Sequence, residues 1–345
     1  MRCGSAPARV AARQVGRTLA LIGLLALSLA GAAPAQADEP GRVDQAPIEL
    51  STPSGTLRGS LTIPATLPPW PVALIHAGSG PTDRDGNSLA AGLHADALRA
   101  LAAGLATHGI ASVRYDKRGI GASAMVDETT LRIDTYVADA SAWIALLRAD
   151  RRFSSVTFIG HSEGALIGAL AIKSQAVDAL VWISAPAAPA ADILREQLKG
   201  KLPPELEAEN ARILSSLEAG RRVDDVPAAL ASLYRPSAQG YVISWFRFDP
   251  SRELANAAAP VLVVQGTSDL QVATRNADLL KAARPDARIV TIAGMNHMLK
   301  QTGDDLQRQQ QSVGDPAMPL APGLVDAIAK FISEAPKLHA VPVLR

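Results

Sequence analysis

Gly160-His161-Ser162-Glu163-Gly164 follows the apolar run Val156-Thr157-Phe158-Ile159 and precedes a stretch, 165–172, with the composition of a helix. The pattern G-x-S-x-G recurs by chance, but between a strand and a helix it permits few folds. The chain must reverse within five residues, so the flanking positions cannot carry bulk. The serine between them is held strained, with its Oγ projecting into a cleft. The helix that follows aims its first N–H groups at the same spot, where they would stabilise a negative oxygen. This context reads Ser162 as a nucleophile rather than as a helix N-cap, the ordinary role of serine in that position.

The rest of the chain alternates apolar runs with helical stretches and contains no internal repeat. Residues 72–75, 111–115, 179–183, 261–264 and 288–292 predict further strands, several of them continuous apolar runs buried on both faces. Residues 48–63 predict a hairpin turning at Pro53-Ser54-Gly55. Helices are expected over about 90–108, ended by Gly109, and over 133–147, where Ile133, Val137, Ala140, Ile144 and Leu147 share one face. Two more are expected over 274–283 and 322–332. This order specifies an α/β fold, with a mostly parallel central sheet covered by helices on both faces. Between residues 185 and 259 the alternation stops. Residues 190–232 are rich in Leu, Ala, Glu and Arg at helical spacing, and an aromatic cluster follows at 241–248. Residues 186–259 therefore read as a helical cap inserted into a core made of 38–185 and 260–345.

A serine hydroxyl needs a base to take its proton, and the base needs a partner that fixes its tautomer. In this architecture those residues follow in the order serine, acid, histidine. Asp269 comes just after the strand 261–264, and His297 follows the strand 288–292 in Ala293-Gly294-Met295-Asn296-His297. Both fall at carboxyl ends of neighbouring strands, where open α/β sheets carry their sites. Asp249 is the competing carboxylate. Two backbone donors for an oxyanion are expected. One is the N–H of Glu163 and the other comes from the loop His76-Ala77-Gly78-Ser79-Gly80-Pro81, with Ala77 favoured and Gly78 next. His76 reads as a brace for that loop. His161 is expected to turn away from the nucleophile and pack. Asp83, Arg84 and Asp85 read as an ion-pair and turn network, and Asp116, Lys117 and Arg118 as a brace at a strand end. Trp245, Phe246 and Phe248 are candidates for a substrate-binding wall, with packing of the cap against the sheet as the equal alternative.

The first 37 residues predict a cleaved export signal. Arg2, Arg9, Arg13 and Arg17 precede the apolar stretch 19–30 and the small-x-small run Ala35-Gln36-Ala37. The apolar stretch is shorter than the ~20 residues of a spanning helix, so no stable membrane insertion is expected, and the location is periplasmic or extracellular. Those residues hold four arginines and no acidic side chain, so the formal charge of +1 for the whole chain becomes −3 without them. Such a balance gives no reason to expect nucleic acid as a partner. Cys3, the single cysteine, lies in the signal, which leaves the remainder without disulfide or thiolate chemistry.

Several stretches together resemble the α/β-hydrolase superfamily, in its serine aminopeptidase-like and monoglyceride-lipase-like branch. They are residues 76–86, Arg114-Tyr115-Asp116-Lys117-Arg118-Gly119-Ile120-Gly121, Gly160 to Gly164, Gln265-Gly266 with Asp269, and Gly294 to His297. Ala77 departs from the second glycine many relatives carry; it still supplies an N–H, so the departure concerns pocket shape. The resemblance implies esterase, lipase or peptidase chemistry on small acyl compounds without metal or organic cofactor. The reading that results is a secreted serine hydrolase of carboxylic esters. An aminopeptidase or amidase with the same triad is the alternative, for which the acidic residues Glu205, Glu207 and Glu209 could read an amine. A thioesterase and a non-catalytic hydrolase-like binding protein are more distant ones. Acyl and alcohol preference and oligomeric state are not written in the sequence.

Overall fold

The computed structural model describes residues 44–338; the stretch read as an export signal lies outside them. Eight strands form one sheet: β1 (Asp44–Thr52), β2 (Gly55–Ile63), β3 (Trp70–His76), β4 (Ala111–Tyr115), β5 (Phe153–His161), β6 (Ala179–Ile183), β7 (Val261–Gly266) and β8 (Arg288–Ile292). Their order is β1-β2-β4-β3-β5-β6-β7-β8. β1 and β2 make an antiparallel hairpin that joins β4 antiparallel, and β4 through β8 are parallel throughout. The hairpin turns at Pro53-Ser54, with Gly55 at φ +114°, a backbone region that glycine enters without penalty.

The continuous apolar runs work because successive strand residues point to opposite faces. Val72 and Leu74 enter one core while Ala73 and Ile75 enter the other. Leu180 and Trp182 separate from Val181 and Ile183 in the same way, as do Val261 and Val263 from Leu262 and Val264. Helices α1 (Ala97–Thr107) and α11 (Leu324–Glu334) cover one face. Helices α2 (Ile133–Ala149), α3 (Glu163–Ala171) and α9 (Arg275–Ala283) cover the other. Trp143 and Trp182, both fully buried, fill the second core.

Two stretches depart from expectation. Residues 90–96 are not part of an α-helix: Leu89–Ala91 make one 3-10 turn, closed by Gly92, and 92–96 run as loop. The Asn87 side-chain carbonyl accepts from the Ala95 and Asp96 N–H groups, and Asp96 takes φ 47°, so α1 starts only at Ala97. An unexpected helix, α10 (Leu306–Gly314), follows the His297 loop. It has almost no apolar face to read; Asp305 caps it by accepting from Gln307 and Arg308 N–H.

Between β6 and β7 run α4 (Ala190–Leu198), α5 (Pro204–Glu218), α6 (Ala231–Tyr234), α7 (Gln239–Phe246) and α8 (Pro250–Ala255). Leu198, Ile213, Leu214, Leu217, Leu230 and Tyr234 gather into an apolar cluster of their own. Leu254, Ala257 and Ala259 pack instead with the sheet. Among the described residues no helix is long and apolar enough to cross a membrane.

Candidate active site

β5 ends and α3 begins around one strained residue. Ser162 has φ 54° and ψ −121°, a combination a non-glycine residue holds only when its surroundings enforce it. Its N–H donates to the Ile183 carbonyl at 2.9 Å, and its own carbonyl accepts from Ala165 N–H at 3.1 Å. The two flanking glycines are demanded by space. A Cβ on Gly160 would lie 2.4 Å from the Ala165 nitrogen, and one on Gly164 would lie 2.6 Å from the His76 carbonyl oxygen. The same tightness presses the elbow against the loop after β3.

The structure brings two of the predicted residues into direct contact. His297 Nδ1 lies 2.9 Å from Asp269 Oδ2 and 3.1 Å from Oδ1, and the Asp269 carboxylate is wholly enclosed. A carboxylate accepts only, so Nδ1 carries the proton and Nε2 is left with its lone pair. Asp269 Oδ1 also accepts from the Gln271 and Val272 N–H groups, each at 2.9 Å. Burial alone would raise the Asp269 pKa, but His297 and these N–H groups outweigh it and hold the carboxyl below its ordinary range. Asp249, the competing carboxylate, is taken up elsewhere: it caps α8, accepting from Ser251 and Arg252 N–H.

The loops bearing Asp269 and His297 are fastened to each other. Gly266 approaches the Met295 carbonyl so closely that a Cβ would come within 2.1 Å. Ser268 N–H donates to that same carbonyl. The unexpected helix α10 braces both loops, through Gln309 to the Ser268 and Gly303 carbonyls and through Ser312 to Asn296. His161 corrects an expectation. It does not turn away; its Nε2 donates to the His297 carbonyl at 2.9 Å, and the two rings lie 4.8 Å apart. Strand alternation explains this, since His161 shares the face of Ile159, and that face also takes Met295 and Leu299 of the His297 loop. Burial, followed by the charge His297 can carry, lowers the His161 pKa to about 3.

The loop after β3 lies against the serine: a Cβ on Gly78 would stand 3.2 Å from Ser162 Cβ. Among the described residues, no carbonyl accepts from the Ala77 or Gly78 N–H. His76 braces the loop as expected. Its Nδ1 donates to the Ala77 carbonyl at 2.9 Å, and burial, with Lys117 adding to it, lowers its pKa to about 3, so the ring is neutral. Lys117 does more than brace a strand end: its ammonium donates to the Gly78 and Gly80 carbonyls. Arg84 with Asp116, Asp85 with Arg99 and Arg114, and Arg118 with Asp139 form the surrounding ion-pair network.

Glu163, the residue after Ser162, is buried. One carboxylate oxygen accepts from the Tyr241 hydroxyl of α7 at 2.7 Å, and among the described residues the other has no partner. Burial raises its pKa, with Lys117 and the tyrosine hydroxyl opposing. The three aromatic candidates divide: Trp245 and Phe248 pack on the sheet core beside Tyr241, while Phe246 packs on the cluster of the inserted helices. The Tyr241 and Trp245 ring centroids are 6.3 Å apart, which makes Trp245 the one of the three joined to the elbow, through Tyr241 and Glu163. Sequence reasoning missed Tyr241, Gln309 and the Lys117 contacts, because each depends on segments distant in the chain.

The chain is similar to known proteins. Residues 91–302 match the family model described as serine aminopeptidase, S33. Esterase EstD of Thermotoga maritima is 29% identical over 247 residues, which cover 70% of this chain and 58% of that protein; the chain thus spans under two thirds of its length. Among solved structures, Est1E from Butyrivibrio proteoclasticus aligns with a TM-score of 0.56 at 19% identity, over 83% of this chain and 96% of that one. The Pyrococcus furiosus esterase Pf2001 aligns at 0.54 and 14% identity, over 85% and 92%. At such identities the structures speak for the fold, the eight-stranded α/β-hydrolase sheet. With the family model spanning more than half of the sequence and the fold in agreement, the chain belongs to the serine aminopeptidase S33 family of α/β hydrolases.

Proposed function

We propose that the chain is an exported serine hydrolase that cleaves small carboxylic esters through an acyl-enzyme. The observation that carries the reading is the Asp269–His297 contact, whose tautomer leaves Nε2 basic beside a strained serine elbow. Ser162 Oγ attacks the ester carbonyl as His297 Nε2 takes its proton, and the tetrahedral oxyanion is held by the N–H of Glu163 and an N–H of the 77–78 loop. The contact of Gly78 with Ser162 favours Gly78 over Ala77 as that second donor. His297 then protonates the leaving alkoxide, and the alcohol departs. Water, deprotonated by His297, attacks the acyl-enzyme, and collapse of the second intermediate returns the proton to Ser162 and releases the acid. No step calls for a cofactor.

Ester rather than peptide cleavage is supported by the esterase name of the Thermotoga maritima relative and by the acidic residues of the insertion. Glu207 accepts from Gly200 N–H and Glu209 pairs with Arg212, both at the surface. Glu163 is already engaged with Tyr241. The test is hydrolysis of p-nitrophenyl acetate, butyrate and octanoate beside aminoacyl p-nitroanilides, for wild type and Ser162→Ala. Ester turnover lost in the variant, with anilides untouched, is expected. Comparable anilide turnover would reassign the chain as a peptidase. Export is tested by sequencing the mature amino terminus, expected at Asp38.

A further inference from the structure

Lys117 is 1% exposed, and among the described residues no carboxylate lies within ion-pair distance of its ammonium. Its contacts are the Gly78 carbonyl at 2.5 Å, the Gly80 carbonyl at 2.8 Å and the Tyr136 ring, 5.5 Å to the centroid. Burying an ammonium without a direct counter-ion is costly, and an apolar side chain of the same length would fill the space at less cost. Both of its strong contacts fall on one loop, the loop that touches Ser162.

Gly78 explains why that loop needs holding. It has no side chain to pack and the widest choice of backbone conformations. Each peptide group is planar, so fixing a carbonyl also fixes the direction of the N–H across the same bond. The peptide before Gly78 is fixed by His76 Nδ1 on the Ala77 oxygen, and the peptide after it by Lys117 on the Gly78 oxygen. Together the two side chains set both dihedrals of a residue that packs against Ser162 Cβ.

We propose that Lys117 is a positioning residue that fixes the peptide plane after Gly78 while His76 fixes the plane before it, so that the two together lock Gly78 with its N–H aimed at the oxyanion of the acyl-transfer intermediate. This rests on the reading of Ser162 as nucleophile. Lys117 touches no substrate; it acts through the loop. Removing it leaves ground-state binding in place and weakens only the interaction made in the tetrahedral state.

The experiment compares wild type, Ser162→Ala, Lys117→Met and Lys117→Gln for kcat and KM on the best p-nitrophenyl ester. Affinity for a phenylboronic acid, which forms a tetrahedral serine adduct, and the unfolding midpoint are measured in parallel. Lys117→Met is expected to lose about 100-fold in kcat, with KM within about threefold. Boronate affinity should fall in the same proportion as kcat, and the midpoint should stay above assay temperature. Should Lys117→Met not fold, Lys117→Gln decides by the same criteria, since it keeps polarity but is too short to span both carbonyls. A folded variant with near wild-type kcat would overturn the proposal, as would a loss carried by KM with boronate binding intact. Failure of both variants to fold would also overturn it, by assigning Lys117 to the stability of the fold. Ester turnover that survives Ser162→Ala would instead remove the nucleophile reading, a different result from turnover that needs Ser162 but not Lys117.

Discussion

The imidazole of His161 donates from Nε2 to the backbone carbonyl of His297, 2.9 Å away, so the residue before the candidate nucleophile holds the loop of the candidate base. His297 is fixed at its ring by Asp269 and at its backbone by the elbow itself. His161→Phe keeps the ring volume and removes the donor, leaving the His297 carbonyl without that partner. The expected outcome is a stability loss of about 1–3 kcal/mol and a fall of about tenfold in kcat from a misplaced base. Denaturant unfolding and steady-state kinetics measure the two; an unchanged kcat would reduce His161 to packing.

Asp269 does two jobs with two oxygens, and the amide variant separates them. In Asp269→Asn the side-chain carbonyl can still accept from Gln271 and Val272 N–H, which fixes the amide NH₂ toward His297. That group donates, so His297 must present a lone pair at Nδ1 and carry its proton on Nε2, the wrong tautomer for taking a proton from serine. A loss of about 10⁴-fold in kcat is expected with the fold retained. Asp249→Ala is the control: loss of the α8 cap costs about 1 kcal/mol and leaves kcat where it was. Equal kinetic losses in the two variants would sink the assignment of the acid.

Buried neutral histidines make this fold acid-sensitive above the range of its carboxylates. Burial, helped by the charge of Lys117, lowers the His76 pKa to about 3, whereas an unfolded histidine titrates near 6.5. Between those values the unfolded chain binds a proton that the native chain does not. Stability from His76 is therefore fully present above about pH 6.5 and is lost as pH falls, by roughly 1.4 kcal/mol per pH unit. His161 acts in the same direction. Asp269, held below its ordinary range, adds a further loss under about pH 4. Urea midpoints at pH 7, 6 and 5 should fall steadily in wild type and less steeply in His76→Phe. Parallel slopes would show that His76 is not the titrating group.

How far the site was legible follows from what kind of information each part needed. Strand β6 matched its predicted bounds because a strand buried on both faces is a local apolar run. The order of Ser162, Asp269 and His297 and their places at strand ends are also local features, and the fold adds the contact between Asp269 and His297. The expected helix over 90–108 starts only at Ala97, because the Asn87 side chain, from outside that stretch, supplies hydrogen bonds that compete with a helical start at 95–96. Helix α10 was invisible because its sequence is glutamine-rich and only Ser312 is buried; its purpose lies in what Gln309 and Ser312 reach. Lys117 and Tyr241 belong to the same class, since one meets a loop 37 to 39 residues away and the other a glutamate 78 residues away. Motifs point to candidate residues for the chemistry, and only the assembled fold shows what holds them.

The three aromatic residues of the 241–248 cluster, equivalent in sequence, should now respond differently. Trp245 packs beside Tyr241, whose hydroxyl rests on Glu163 directly after Ser162. Phe246 faces the apolar cluster of the inserted helices. Trp245→Ala would enlarge the space beside the elbow, so the p-nitrophenyl chain-length profile should shift toward longer acyl groups, with KM changing more than the unfolding midpoint. Phe246→Ala removes packing away from the elbow, so it should cost about 2 kcal/mol of stability and leave the chain-length profile unaltered. Profiles for acetate through octanoate, set against unfolding midpoints, separate a substrate wall from packing. A chain-length shift in Phe246→Ala but not in Trp245→Ala would place the acyl pocket on the other side of α7.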